Sequence, residues 1–157
     1  MCIRDSYSVM QGYLDDPEAT AAAIDGRGFL HTEDLATMDE RGYVRIVGRS
    51  KDMLIVGGFN VYPAEVENAL LAHDAIAQVA VVGVPDARMG EVAMAYVVPA
   101  SGRSVDPAAI IGWARERLAN YKVPRYVVTI AELPFNAAGK VVKDELRARA
   151  VAGLGGR

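Results

Sequence analysis

Two apolar segments joined by a short polar loop constrain the fold of this chain most strongly. Ile76 to Val84 and Val92 to Val98 are rich in valine, isoleucine and alanine, and only residues 85–91 separate them. Residues with branched side chains favour strands, and two strands joined by a short loop usually pair. We therefore predict that these two segments lie side by side in the core of one sheet.

The rest of the chain alternates short strand and helix patterns, which predicts an α+β fold. Helices are indicated where proline opens an amphipathic stretch, with Asp106 as the N-cap of one of them. The predicted elements are a hairpin of residues 35–37 and 43–47, a second hairpin within 52–63 that turns at Gly57-Gly58, helices over 63–71, 107–119 and 141–151, and a strand over 126–130.

The first predicted hairpin carries two charged residues at its open end. Asp34 comes directly before its first strand, and Arg49 lies two residues after the end of its second strand. In an antiparallel pair these two ends lie together. The carboxylate and the guanidinium can therefore converge on one ligand.

Composition excludes several classes of function. The net charge is −3 with both signs interspersed, which offers no basic surface for nucleic acid or for a membrane. No apolar run approaches the roughly 20 residues of a membrane-spanning helix, and no secretory signal is visible, so we expect a cytoplasmic protein. A single cysteine, Cys2, and two histidines, His31 and His73, predict neither a disulfide nor a metal site.

Lys140 is the strongest single candidate for chemistry. It follows Gly139 at the end of the stretch Leu133–Lys140, where a compact ammonium on a flexible stem could reach a phosphate. The common phosphate-binding loop is excluded, because Pro134 replaces its first glycine and Val141 its hydroxyl residue. A Gly-Lys pair taken alone is usually only a solvated turn.

Four blocks in fixed order give that lysine a context: residues 29–35, 48–67, 118–124 and 133–140. This order resembles the adenylate-forming (AMP-binding) acyl-CoA synthetases, most closely the fatty-acid and related carboxylate-CoA ligases. The resemblance covers Tyr7 to about Arg149. It implies a small C-terminal domain, built from a hairpin and a mainly three-stranded sheet with flanking helices, after a short β-rich stub of a large N-terminal domain. The expected divisions are a non-native leader (1–6), the stub (7–49), the C-terminal domain (50–150) and a frayed tail (151–157).

The resemblance also implies a reaction and its ligands. Such a ligase uses ATP, with Mg²⁺, to convert a carboxylic acid into an acyl-adenylate, and a domain rotation then lets coenzyme A accept the acyl group. The phosphate loop and acyl pocket would belong to the missing N-terminal domain, so we expect no turnover from this chain alone. Neither the acid nor the oligomeric state can be read from these residues.

The resemblance assigns three residues to ATP. It makes Lys140 the adenylation lysine, which would touch the carboxylate and the α-phosphate, and Asp34 the acceptor for the ribose hydroxyls. Arg49 would join Asp34 at the nucleotide. The family usually has glycine before this aspartate, whereas this chain has Glu33, which restricts φ and adds negative charge near the nucleotide.

Other positions are assigned to the second step. Lys51 matches the hinge about which the domain turns, and Gly57, Gly58 and Phe59 match the turn that lines the pantetheine channel. Lys122, and less closely Arg88, match cations near coenzyme A. Read without the resemblance, each could be an ordinary turn or surface charge. Glu65 and Glu67 are expected only to cover the surface of a helix and complement its dipole.

Two other functions fit the same blocks. An amino-acid-activating domain of a peptide synthetase shares them but transfers its product to a carrier protein. A free-standing domain that binds a nucleotide or a partner without catalysis is the second alternative. ATP or coenzyme A binding without adenylate formation would favour the latter.

Overall fold

The computed structural model describes the backbone of residues 3–154 and the side chains of residues 5–154. The chain forms two compact units that divide between Lys51 and Asp52. This division lies two residues beyond the domain boundary expected from sequence. Throughout the described residues, every helix is too short or too polar to serve as a membrane span.

In the first unit, the described residues 3–51 form four short strands and one helix. Strand β1 (Ile3–Arg4) pairs with β2 (Leu30–His31), and helix α1 (Pro17–Ala23) lies between them in sequence. Residues 3 and 4 fall within the segment expected to be a non-native leader (1–6), and they pair through backbone groups that every sequence has. Residues 1 and 2, including Cys2, lie outside the described part of the chain.

Helix α1 was not predicted, although its N-terminus carries a clear signal. The Asp16 carboxylate accepts a hydrogen bond from the Ala19 amide at 2.9 Å, and Pro17 occupies the first turn. Both features are typical of helix starts. The predicted hairpin follows as β3 (Asp34–Met38) and β4 (Val44–Arg49), whose strands are antiparallel.

The second unit is built on one five-stranded sheet. Its strands are β5 (Leu54–Val56), β6 (Phe59–Val61), β7 (Ile76–Asp86), β8 (Gly90–Pro99) and β9 (Tyr126–Thr129). As predicted, β7 and β8 pair along nearly their whole length, and β9 joins β8 in parallel. The expected separate hairpin is instead part of this sheet, because Val56 of β5 pairs with Gly90 of β8.

Three helices cover this sheet: α2 (Pro63–Leu71), α3 (Pro107–Arg115) and α4 (Lys143–Leu154). Helix α3 ends at Arg115, four residues before the predicted end at Ala119. A short 3₁₀ turn over residues 120–122 follows it. Helix α4 starts two residues late, because Val141 still pairs with Phe135. It continues to Leu154, so residues 151–154 are helical rather than frayed; residues 155–157 lie outside the described part.

The core lies between the sheet and the helices. Each helix contributes fully buried apolar residues to it, and β7 and β8 supply most of the rest. Burial of this apolar surface is the main force that holds the helices on the sheet. The helical members are Val66 and Leu70 of α2, Ile110 and Ala114 of α3, and Leu146 and Ala150 of α4.

Candidate functional site

The first unit brings together the two charged residues at the open end of the β3–β4 hairpin. Asp34 and Arg49 are direct partners in the strand register, and the Arg49 Nε donates to Asp34 Oδ1 at 3.4 Å. Their side chains are 28% and 51% exposed, so a ligand can reach both. They line a cavity of about 650 Å³ within this unit, together with Glu33 and Lys51. The structure thus places these two charges next to each other, and their convergence on one ligand stays a prediction.

Glu33 adopts an unusual backbone conformation beside this pair. Its φ is +59°, in the left-handed region that glycine tolerates and other residues enter at a cost. Its carbonyl accepts from the Ser50 amide at 2.8 Å, and its carboxylate lies 4.0 Å from the Lys51 ammonium. Glu33 thus contacts Ser50 and Lys51, the last two residues before the division between the two units.

We expect Glu33→Gly to stabilise the first unit by about 0.5–1 kcal/mol, because relief of the left-handed strain outweighs the added freedom of glycine in the unfolded chain. The exposed contact with Lys51 contributes little against this. Amide hydrogen exchange of the β3–β4 hairpin measures the change. Glu40→Gly is the matched control, since Glu40 is not among the positive-φ residues. Equal effects of the two glycines would show that Glu33 is unstrained.

Asp25 organises the loop that leads into β2. One carboxylate oxygen accepts from the amides of Phe29 at 3.1 Å and Arg27 at 2.9 Å, and the other lies 3.2 Å from Nε2 of His31. These bonds favour the ionised form, with the Phe29 amide as the largest cause, and lower the pKa of Asp25 to about 2. The carboxylate therefore stays charged through the whole neutral range.

The low pKa of Asp25 predicts how this loop responds to acid. A depressed folded-state pKa contributes stability that is complete above the ordinary value of 3.8 and is lost as the pH falls towards about 2. We expect amide protection at Phe29 to fall across that window. Asp25→Asn should remove this pH dependence. An unchanged profile in the variant would mean that another group controls the loop.

In the second unit, Lys140 lies on a closed turn that precedes α4. The Asn136 amide donates to the Lys140 carbonyl at 2.9 Å, and the Gly139 amide donates to the Asn136 carbonyl at 2.9 Å. Gly139 has φ +73°, which explains glycine at this position. Lys140 is exposed, and within residues 5–154 its ammonium has no hydrogen bond or ion pair. The charge is therefore available to a ligand.

The Gly57-Gly58 pair forms a two-residue turn between β5 and β6. Their φ angles are +57° and +88°, the combination that a type I′ turn requires. A Cβ on Gly57 would lie 2.5 Å from the Met89 methyl group, so no side chain fits without displacing Met89. Next to the turn, the Phe59 ring stacks on Tyr121 at 4.6 Å between centroids. The turn is thus thin and flanked by an aromatic surface.

A cavity of about 440 Å³ lies beside this turn. Phe59 and Tyr121 form part of its wall, and three arginines also line it: Arg88, Arg115 and Arg125. Arg125 donates to the Asp86 carboxylate at 2.8 Å. The amides of Met89 and Arg88, followed by the charge of Arg125, lower the pKa of Asp86. The cavity combines aromatic rings with cations, which suits a ligand with a flat ring and phosphate groups.

Sequence reasoning found only part of this cavity. It singled out Phe59 and, less firmly, Arg88, but it missed Tyr121, Arg115 and Arg125. Tyr121 lies inside one of the four blocks, which was the available signal. The two arginines carry no local signal, because only the folded sheet and helices bring them to the same cavity.

Lys122 is not among the described residues that line this cavity. Its ammonium donates to the Glu65 carboxylate at 2.6 Å, and this hydrogen bond is the main cause that raises the pKa of Lys122. Lys122 therefore remains charged but already has a partner. Its assignment to coenzyme A stays a prediction, and a ligand would have to compete with Glu65.

The expectation that Glu65 and Glu67 only cover a helix surface is wrong. Besides the Glu65–Lys122 pair, one oxygen of Glu67 accepts from the Val81 amide at 2.8 Å and from the Lys143 ammonium at 2.7 Å. Both side chains of the Glu67–Lys143 pair are less than a quarter exposed. Glu67 thus links α2 to β7 and to the first residue of α4.

Comparison with known proteins agrees with this geometry. Residues 65–140 match the family described as the AMP-binding enzyme C-terminal domain. A propanoyl:CoA ligase of Rhodococcus jostii (strain RHA1), whose named acid carries a methyl-dioxo-octahydroindenyl group, is 58% identical over 140 residues, 89% of this chain and 27% of that protein. Feruloyl-CoA synthase of Amycolatopsis sp is 49% identical over 142 residues, 90% of this chain and 29% of the relative.

Solved structures give the same result. The crystal structure of ATP-bound MatB from Rhodopseudomonas palustris is similar with a TM-score of 0.82 and 42% identity, over 88% of this chain and 28% of that one. The chain thus spans between a quarter and a third of the length of these proteins. The chain belongs to the adenylate-forming, AMP-binding enzyme superfamily, and its residues 65–140 match the C-terminal domain of those enzymes.

Proposed function

We propose that this chain is the C-terminal part of an AMP-forming acid-thiol ligase, which activates a fatty acid or related carboxylic acid with ATP and transfers it to coenzyme A. The single observation that carries the choice of coenzyme A is the arginine-lined cavity beside the Gly57-Gly58 turn. The relatives' names, which include CoA ligases and a CoA synthase, support the same choice. We also propose that the reaction takes place in the cytoplasm, where ATP and coenzyme A are both available.

In the first step, the carboxylate oxygen attacks the α-phosphorus of ATP and pyrophosphate leaves. Negative charge grows on the phosphate oxygens in the transition state, and a fixed cation lowers the energy of that state. The unpaired ammonium of Lys140 is suited to this role. Asp34 offers a carboxylate that can accept from two ribose hydroxyls, and Arg49 offers a planar set of donors.

Mg²⁺ would accompany the phosphates of ATP. Among the described residues, no group of three or more His, Cys, Asp or Glu side chains could hold a metal ion. We therefore propose that the ion is held by the nucleotide and by the N-terminal domain rather than by this chain. When bound, it would neutralise phosphate charge.

In the second step, the thiol of coenzyme A attacks the acyl carbon of the adenylate, and AMP leaves. A pantetheine arm is thin, and the absence of a side chain at Gly58, where no described neighbour lies within 4 Å of the Cβ position, allows it to pass close to the backbone. Arg88 and Arg115 can pair with the phosphates at the other end of coenzyme A. The Phe59–Tyr121 stack offers a flat surface for its adenine.

The choice of thiol acceptor tests this proposal. With the complete enzyme and preformed acyl-adenylate, we expect Arg88→Ala combined with Arg115→Ala to raise the KM for coenzyme A by at least about tenfold, because the loss of even one charged hydrogen bond is worth that factor. The KM for pantetheine, which lacks the phosphates, should not change. Arg103→Ala, on an exposed loop, is the control. Equal effects on both thiols would contradict the proposal, and transfer only to a carrier protein would favour the peptide-synthetase alternative.

A further inference from the structure

The side chain of Asn136 closes the turn that carries Lys140. Its carboxamide oxygen accepts hydrogen bonds from two backbone amides, that of Ala138 at 3.0 Å and that of Lys140 at 2.9 Å. The backbone of Asn136 adds two more bonds, to Lys140 and Gly139. One residue thus makes four hydrogen bonds across the turn, and two of them depend on the identity of its side chain.

Both ends of this turn are anchored independently of Asn136. On the N-terminal side, Leu133 is buried in the core. On the C-terminal side, the Val142 amide donates to the Pro134 carbonyl at 2.8 Å, and Lys143 pairs with Glu67. The segment enters and leaves from fixed points. The conformation of its tip, residues 136–140, is not fixed by these anchors. Within the tip, the side-chain oxygen of Asn136 accepts the backbone hydrogen bonds from Ala138 and Lys140.

The direction of the Lys140 side chain depends on this tip. Within the part of the chain that the structure describes, no carboxylate or carbonyl holds the Lys140 ammonium, so the backbone alone sets where its stem begins. A catalytic group displaced by about 1 Å can lose up to about 100-fold in rate. The conformation of the turn is therefore directly relevant to a reaction that uses Lys140.

We propose that Asn136 is a positioning residue for adenylation: its carboxamide oxygen fixes the backbone of Lys140 so that the ammonium reaches the carboxylate and the α-phosphate. The inference rests on the proposed function. It assigns Asn136 no contact with the substrate. The requirement is an acceptor at this position, which a hydroxyl can also provide, because serine and threonine form similar turns more weakly.

The test compares Asn136→Ala, Asn136→Thr and the control Asn68→Ala, an exposed asparagine of α2, in the complete enzyme. We expect Asn136→Ala to lower kcat for ATP–pyrophosphate exchange by about tenfold or more, with little change in the KM for ATP. Thioester formation from preformed acyl-adenylate should keep the wild-type rate, because Lys140 acts only in the first step. Asn136→Thr should recover most of the lost exchange.

A role in folding alone would lower both half-reactions together, and that outcome would overturn the inference, as would a wild-type exchange rate in Asn136→Ala or no recovery in Asn136→Thr. Amide exchange of Ala138 and Lys140 in the 157-residue chain should accelerate in Asn136→Ala, and unchanged protection there would also contradict it. If the wild-type enzyme itself lacks exchange activity, the proposed function fails first, and the inference falls with it.

Discussion

Replacing Lys140 with alanine is expected to lower carboxylate-dependent ATP–pyrophosphate exchange by at least about 100- to 1,000-fold, the usual effect of removing one group that stabilises transition-state charge. The lysine is exposed on an ordered turn, and its ammonium makes no hydrogen bond or ion pair with the described residues 5–154. Its removal should therefore leave the fold intact. Exchange of labelled pyrophosphate into ATP by the complete enzyme, with a saturating carboxylic acid, measures the effect.

A control variant and the second half-reaction separate loss of the Lys140 charge from general damage to the enzyme. Arg103→Ala removes another exposed cation of the same unit and should retain wild-type exchange. Thioester formation from added acyl-adenylate should survive in Lys140→Ala, because the role proposed for the lysine ends once the adenylate has formed. Substantial exchange by the Lys140→Ala enzyme would show that the charge belongs to the surface and has no catalytic role.

Leu70→Ala is expected to destabilise the second unit by about 2–5 kcal/mol, the range for a leucine truncated in a packed core. Leu70 is 0% exposed and lies on α2, which packs against β7 and α3. Truncation removes apolar surface from the core and leaves a cavity between helix and sheet. Chemical denaturation followed by the fluorescence of Trp113 reports on this region, because the indole nitrogen donates to the Ala69 carbonyl at 3.3 Å.

The adjacent residue provides a matched control. Leu71 is 45% exposed, so Leu71→Ala removes the same atoms from the same helix without emptying the core. Its cost should stay within about 0.5 kcal/mol, as for most surface substitutions. Similar costs for the two variants would mean that α2 does not bury the face assigned to it.

The elements that sequence predicted well are those with a strong local pattern. The β7–β8 pair follows from two valine-rich segments and one short loop, and the start of α3 follows from Asp106 and Pro107, whose N-cap bond is present at 3.0 Å. The position of Asp34 opposite Arg49 follows from antiparallel pairing alone. In each case the information lies within a few residues or one hairpin.

The features that sequence missed depend on distant contacts. The single Val56–Gly90 pair joins the β5–β6 hairpin to the main sheet, and no local sequence pattern predicts this pair. Glu67 looks like surface charge until folding brings Val81 and Lys143 to its carboxylate. Tertiary packing decides such cases, so a helix-surface pattern alone could not separate a solvated glutamate from a structural one.

The resemblance and the geometry contributed different parts of the candidate site. The four blocks suggested roles for Lys140, Lys51 and the Gly57-Gly58 turn, which the composition of those segments could not supply. The structure added the arginine-lined cavity and the Phe59–Tyr121 stack. It also showed that Lys122 already has a carboxylate partner. Roles for these residues remain proposals, and the experiments above address those of Lys140 and of the arginine-lined cavity.

Carboxylate-dependent ATP–pyrophosphate exchange, measured for the 157-residue chain alone and for the same chain joined to an N-terminal AMP-binding domain, tests the central claim most directly. The account predicts exchange by the joined protein and none by the chain alone, because this chain spans only about a quarter to a third of its relatives' length. Nucleotide binding without exchange by the joined protein, or exchange by the isolated chain, would contradict it.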